Sequence, residues 1–306
     1  MNSGALQPGN YGKLRTNREY HDLSLLHFPT ASSTSNRSSS KPLQDEVDTL
    51  LREKLDLHAQ LFEAAQIQRK LSGSRELRHG NLQFASEVFA ARFLSGDFTM
   101  FLHNGPMIFA AHGDIAGKGI AAGMWFTNLA GLLQSYGRPN SNPAKIALEV
   151  NRHLCYLRPV APFVTAFLAQ IDCRLGKLTY CNAGHFPPIL RRADGQIEFL
   201  ETGGPLLGAI ERAKFNSGQL VLEPGDTLVV YSDGVLECCN PLGEEFGSER
   251  LVAALQRAKQ QSAHATLMMI LASLQDFANG TPISDDVSVT VIQHDADPTK
   301  MAWIPA

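Results

Sequence analysis

Four aspartate-bearing turns, each at the end of a run that reads as a β-strand, constrain this chain more than any other feature. Ile108-Phe109-Ala110-Ala111 leads into Gly113-Asp114, and Leu228-Val229-Val230-Tyr231 leads into Ser232-Asp233-Gly234. Ser284-Asp285-Asp286 stands just before Val287-Ser288-Val289-Thr290-Val291-Ile292, and Ser95-Gly96-Asp97-Phe98 forms a further acidic turn upstream. After Asp114 come Gly117-Lys118-Gly119 and a small-residue segment that reads as a helix. A strand that ends in an acidic turn holds a carboxylate rigidly at a sheet edge, and glycines let the backbone bend around whatever the carboxylate binds. One such aspartate is ordinarily a cap or a turn residue. Four together point to one all-oxygen metal site.

The periodicity predicts strands over 82–93, 97–103, 106–113, 163–172, 177–183, 187–191, 196–200, 218–222, 226–231 and 287–293, with helices over 119–136, 142–157, 248–260 and 263–278. Turns such as Arg174-Leu175-Gly176-Lys177 and Ala193-Asp194-Gly195 join several strands as hairpins. Strands outnumber helices and consecutive strands are tightly joined. This predicts an α+β chain with antiparallel sheets and helices on their outer faces, not a doubly wound parallel sheet.

Ahead of this pattern, residues 1–42 are polar and rich in Ser and Asn, which predicts a disordered tail. Residues 43–72 form a helical linker. Val47, Leu50, Leu57, Leu61, Ala64 and Leu71 make one stripe, and Leu51, Leu55, Phe62 and Ala65 a second. With no Gly or Pro over 43–71, the helix reaches roughly 42 Å at ~1.5 Å per residue. Two stripes on such a helix predict a coiled coil, and a homodimer through 43–71, although Lys54 and Gln68 fall in the seam. A catalytic domain over 73–294 and a short C-terminal tail, 295–306, complete the division.

Composition closes off several classes of function. A net charge of −3 points to neither nucleic acid nor an anionic membrane. No apolar run approaches the roughly 20 residues of a membrane helix, and the N-terminus lacks the apolar stretch of a signal peptide. Five cysteines match no zinc spacing, and the Cys238-Cys239 pair reads as buried reduced thiols. The expected compartment is the cytoplasm.

Rival chemistries fail on spacing. Gly113 to Gly119 is one residue short of a phosphate-binding P-loop and carries glycine where Ser or Thr would meet Mg²⁺. No G-x-S-x-G elbow is present. His185, in Asn182-Ala183-Gly184-His185, has no nucleophile to serve and reads as a turn histidine bonded to backbone. Hard cations such as Mg²⁺ and Mn²⁺ favour carboxylate, carbonyl and water oxygens, and two of them can activate a bridging water for in-line attack on phosphorus.

The segments GDIAGKGIAAG, TAFLAQIDCRLGKLTYCNAGHFPPIL, GGPLLG, LEPGDTLVVYSDGVLE, FGSERL and DDVSVTVI occur in the order seen in the metal-dependent, PPM-type serine/threonine protein phosphatases. They most resemble the bacterial branch that acts on sigma-factor regulators in stress response and sporulation. The resemblance spans roughly residues 60–293. It implies an αββα sandwich of two antiparallel sheets flanked by helices, here preceded by a long helix. It implies a site for two Mn²⁺ or Mg²⁺ ions, with Asp114 as the bridging carboxylate, the Ile115 carbonyl as a further ligand, and Asp233 and Asp285 as ligands. Asp286, the neighbour of Asp285, is counted among the metal residues as well, and so is Asp97, which matches an acid that commonly holds metal-bound water. It also implies hydrolysis of phosphoserine or phosphothreonine on a STAS-type anti-sigma-factor antagonist. The rival expectation is a catalytically weak, phosphatase-like module that binds a signalling partner.

Some positions depart from the family pattern. Thr99-Met100 replaces the second acidic segment of GGDFYD, Ala116 replaces the serine of GDxSGKG, and Phe186 replaces the Asn of GHNPP. None is a presumed ligand. The family's A-x-x-IQ-x-x-L helix appears as Ala64-Ala65-Gln66-Ile67-Gln68-Arg69-Lys70-Leu71.

Overall fold

Along β4 (Met107–Ile115) the side chains alternate between two different cores. Phe109 and Ala111 join a cluster with helices α2 (Ile120–Tyr136) and α3 (Pro143–Tyr156), while Ile108 and Ala110 join another with Phe84, Leu228 and Ile292. A strand buried on both faces separates its two sets of neighbours in this way, because its side chains point alternately up and down. The computed structural model describes residues 41–296.

β4 belongs to a sheet with the order β10-β6-β5-β4-β3, formed by β10 (Gly218–Val221), β6 (Lys177–Ala183), β5 (Val164–Asp172), β4 and β3 (Asp97–Asn104). A two-residue strand, β9 (Gly203–Gly204), pairs in parallel with β6. The other sheet has the order β1-β2-β12-β11-β7-β8, from β1 (Glu76–His79), β2 (Leu82–Phe89), β12 (Val287–His294), β11 (Thr227–Tyr231), β7 (Ile189–Arg191) and β8 (Ile197–Phe199). All its pairings are antiparallel. Helices α2 and α3 cover the first sheet; α5 (Gly247–Arg257) and α6 (Ala263–Ala278) cover the second through Val229, Val289 and Val291. Helix, sheet, sheet, helix is the expected αββα sandwich.

The layer between the sheets is graded. Leu82, Phe84, Phe101, Ile108, Phe167, Ile171, Leu228 and Ile292 fill one part of it with apolar volume. Continuing along the same faces in steps of two, the strands place Ser86, Thr99, His112, Thr165, Ser288 and Thr290 toward the end where the aspartates lie. All of these but Thr165 are buried. Polar side chains in a dry layer must find partners: Thr99 bonds Ser86 and His112 bonds Ser288 and Thr290 across the sheets, while Thr165 meets His185.

Four sequence expectations shift. The strand expected over 82–93 ends at Phe89, and β1 was not anticipated; it pairs as a hairpin through Gly80. A four-residue helix, α4 (Asp233–Leu236), follows β11 directly. Cys238 is buried as expected, but Cys239 is half-buried; both are free thiols.

Helix α1 spans Lys41–Leu71 and ends where Gly73 adopts positive φ. The chain divides between Glu63 and Ala64 into two units. In the first, Leu43, Val47, Leu50, Leu51, Leu55 and Leu57 are exposed, while Leu61 and Phe62, farther along the two stripes, are half-buried. Of the tail expected over 1–42, residues 1–40 lie outside the described residues and Lys41 and Pro42 open α1; of the C-terminal tail expected over 295–306, residues 297–306 lie outside them.

Candidate metal centre

The site is assembled from both sheets. On β3 and β4, Asp97 and Asp114 are direct partners across the ladder. On the other sheet Tyr231 pairs with Val289, so Asp233, two residues past β11, faces Asp285 and Asp286 just ahead of β12. Gly234 is required by that approach: a Cβ there would lie 1.9 Å from the Asp286 carbonyl oxygen. The glycine of Ser232-Asp233-Gly234 thus lets two aspartate turns press together.

The Asp114 turn is held on both sides. The Ile115 N–H donates to the Gly96 carbonyl at 3.1 Å, and the Ala116 N–H donates to the Phe163 carbonyl at 2.9 Å. Gly96 also lies tight against the site, since a Cβ there would stand 2.8 Å from the Ile115 oxygen and 2.9 Å from Asp114 Oδ1. The Ile115 carbonyl and the Asp114 carboxylate are therefore presented on the same small surface.

The electrostatics follow from the crowding. Burial pushes Asp114 up to about 6, with Asp233, Asp285 and Asp286 adding to the rise. Burial, then Asp114, raises Asp97 well above the carboxylate range, opposed by the hydroxyls of Ser232 and Ser288. Burial raises Asp233 too, against the Gly234 N–H, which donates to its Oδ1 at 2.8 Å. Asp97 Oδ2 is buried without a hydrogen-bond partner. Partly desolvated oxygens with uncompensated negative charge suit a divalent cation, which removes the mutual repulsion. Among the described residues, no three His, Cys, Asp or Glu side chains form a ready-made ligand cluster. The fit therefore rests on the donor chemistry and on the orphaned Asp97 oxygen.

Two of the expected residues already have partners. Asp285 Oδ2 accepts from Lys118 Nζ at 2.7 Å, a pair that is partly exposed and raises Lys118. Asp286 is used inside the protein: Oδ1 accepts from the Ala91 N–H at 2.7 Å, and Oδ2 accepts from the Gly96 N–H at 2.7 Å and Ser95 Oγ at 2.9 Å. It ties the end of β12 to the turn that carries Asp97. Asp286, expected among the metal residues, thus also accepts three hydrogen bonds from within the protein.

His185 lies in the bend after β6, where its N–H donates to Asn182 Oδ1 at 2.8 Å. Its ring lies between the sheets, Nδ1 within 3.0 Å of Thr165 Oγ1, and burial lowers it to about 4. Lys118, Ser95, Ser232, Ser288 and His112 were not singled out as site residues. Their signal is faint: Ser95, His112 and Ser232 stand one or two residues before an aspartate, Ser288 stands two residues after Asp286, and Lys118 lies between the glycines that follow Asp114.

Comparisons with known proteins agree with this geometry. Residues 105–295 match the family model described as Stage II sporulation protein E (SpoIIE). The chain is 26% identical over 251 residues to the phosphoserine phosphatase RsbU of Bacillus subtilis (strain 168), covering 81% of this chain and 74% of RsbU. It is 28% identical over 192 residues to the phosphoserine phosphatase RsbP of the same organism, covering 60% of this chain but only 47% of RsbP. In fold it is similar to the SiaA-PP2C domain of Pseudomonas aeruginosa, with a TM-score of 0.67 at 19% identity, over 79% of this chain and 99% of that one. With two sheets that meet at aspartates from β3, β4, β11 and β12, and a family match over most of the described sandwich, the chain belongs to the SpoIIE family of PPM-type serine/threonine protein phosphatases.

Proposed function

We propose that this phosphatase hydrolyses phosphoserine or phosphothreonine on a STAS-type anti-sigma-factor antagonist in the cytoplasm, and that it depends on two Mn²⁺ or Mg²⁺ ions. The observation that carries this reading is the meeting of Asp97 and Asp114 from one sheet with Asp233 and Asp285 from the other. Asp114, the Ile115 carbonyl, Asp233 and Asp285 are the residues that would hold the ions, with Asp97 beside them. Bound ions supply Lewis-acid polarisation of the phosphoryl oxygens and activation of water. The chain's own residues do the rest. Asp286 fixes the Ser95-Gly96-Asp97 turn, and Gly96 and Phe163 fix the Asp114 turn. Lys118, partly exposed beside Asp285, brings positive charge to the mouth of the site, where a phosphate would enter. A cytoplasmic setting is consistent with the described residues, in which no helix is long and apolar enough to cross a membrane. The exposed leucines of α1 support a homodimer through 43–71.

The test is Mn²⁺-dependent phosphate release from a purified, phosphorylated STAS-type protein. Release that EDTA abolishes and Mn²⁺ restores is expected. A kcat/KM that favours a nucleotide or sugar phosphate over every phosphoprotein tried would overturn the substrate reading.

A further inference from the structure

The two halves of the metal centre sit on different sheets, so their spacing depends on how firmly the sheets are joined at that end. His112 spans the gap. It lies on β4, two residues before Asp114, and its side chain points into the layer between the sheets. Its Nδ1 lies 2.9 Å from Thr290 Oγ1 and its Nε2 lies 3.1 Å from Ser288 Oγ, both on β12. Ser288 and Thr290 are two residues apart on one face, about 7 Å along the strand, and one imidazole ring reaches both.

The bonds continue from Ser288 to the other aspartates. The Ser288 N–H donates to Ser232 Oγ at 2.9 Å, and the Ser232 N–H donates to the Ser288 carbonyl at 3.0 Å. Ser232 Oγ in turn donates to the Asp286 carbonyl at 3.4 Å. Ser232 is the residue before Asp233. A chain of hydrogen bonds thus runs from the strand of Asp114, through His112 and Ser288, to the turn of Asp233.

We propose that His112 is a positioning residue: by bridging Ser288 and Thr290 it sets the distance between the sheets at their aspartate-bearing end. The pair Asp97 and Asp114 is thereby held at a fixed spacing from Asp233 and Asp285. This rests on the proposed metal-dependent reading of those aspartates. The chemistry suits the task. A neutral imidazole donates from one nitrogen and accepts at the other, and a hydroxyl can do either, so both contacts are satisfied in either tautomer. The bridge is also rigid, because the ring fixes the angle between its two partners. An apolar side chain would fill the same volume between the sheets but would let them slide, since apolar contact has no direction. The apolar part of the layer joins the sheets without setting their register. A second buried ring, His185, packs 5.2 Å from His112 and limits its tilt.

The experiment uses the full chain and three variants: His112→Leu, Thr290→Val and Ser288→Ala. Mn²⁺ binding is measured by calorimetry, and amide exchange is measured in the presence of chelator. His112→Leu is expected to weaken Mn²⁺ binding at least 10-fold and to lower kcat. Amide exchange at 95–97, 114–116 and 232–234 should be at least 10-fold faster, with the helix-facing core unchanged. Thr290→Val should act in the same direction, and adding it to His112→Leu should weaken binding no further than the larger single effect, because both remove one bridge. If His112→Leu does not fold, Thr290→Val and Ser288→Ala carry the test, since each removes one partner and little volume. Unchanged exchange at the three turns in the folded variants overturns the positioning role, as does additive weakening in the double variant. A wild type that binds no Mn²⁺ overturns the metal reading instead, while the exchange comparison still decides whether His112 sets the turns.

Discussion

Gln68 grips the peptide of Ser95 from both sides: Nε2 donates to the Ser95 carbonyl at 2.7 Å, and Oε1 accepts from the Ser95 N–H at 3.2 Å. Gln68 is in the last turn of α1, and Ser95 is two residues before Asp97. Across the same turn, Asp286 holds Ser95 Oγ and the Gly96 N–H. The position of Asp97 is therefore set from the helix on one side and from β12 on the other.

Gln68→Ala should lower kcat/KM toward a phosphoprotein substrate about 10-fold, while stability falls by only about 1–3 kcal/mol, the loss of two hydrogen bonds. Gln68→Glu keeps an acceptor for the Ser95 N–H but cannot donate to its carbonyl, and should fall between the two. Steady-state kinetics beside urea unfolding separates these effects. Loss of stability with unchanged kcat/KM would reduce Gln68 to a packing residue.

Asp114→Asn and Asp233→Asn should each reduce activity on the order of 100-fold or more, beyond the 10- to 100-fold cost of disturbing a residue behind a ligand. In chelator these variants should be at least as stable as the wild type, because each removes a charge from a crowded acidic site. Mn²⁺ titration of activity with thermal unfolding checks both halves.

Asp286→Ala should behave in the opposite way. It strands the Ala91 and Gly96 N–H groups and the Ser95 hydroxyl. The expected cost is about 3–5 kcal/mol by urea unfolding, with or without metal. Asp286→Asn, which keeps acceptor capacity on one atom, should lose less.

In metal-free protein the pH dependence of stability has opposing parts, the raised aspartates of the site against the buried histidines, of which Asp114 and His185 are one pair. The raised value of Asp114, about 6, means its favourable protonated form is present at low pH. The associated stability is lost as pH rises from the unfolded value near 4 through about 6. His185, lowered to about 4, acts in reverse over the same span: its stability is lost as pH falls below the unfolded value near 6.5. The wild-type curve therefore mixes the two. The difference between Asp114→Asn and wild type isolates the aspartate: near zero at pH 4 and rising in favour of the variant up to about pH 7. Thermal unfolding in chelator at several pH values measures it, and a difference that shrinks with pH would contradict the assignment.

Leu50→Glu with Leu57→Glu places charge in the exposed apolar stripe of α1. The full chain should shift from dimer to monomer by light scattering and change in activity by 5-fold or more, which corresponds to roughly 1 kcal/mol of coupling. A wild type that stays monomeric at high concentration, with unchanged activity in the double variant, would remove the helix from the regulatory account.

The sequence alone determined the parts whose cause is local. A period of two with an aspartate at the strand end located β3, β4, β11 and β12 and the turns of Asp97, Asp114, Asp233 and Asp285, because side-chain alternation and turn chemistry act over a few residues. The stripes over Leu43 to Leu71 likewise marked a helix, observed as Lys41–Leu71. What only the tertiary structure decided lies between segments far apart in the chain. Asp286 looked like another acid beside Asp285, yet its oxygens serve Ala91, Ser95 and Gly96, some 190 residues earlier. His112 carries no signal of its own in the sequence, yet it bonds Ser288 and Thr290 on the opposite sheet. Alternation tells which face a side chain takes, but not which strand lies across from that face. That pairing is fixed only when β4 and β12 stack, because a hydrogen bond has a length and a direction that no single strand can specify.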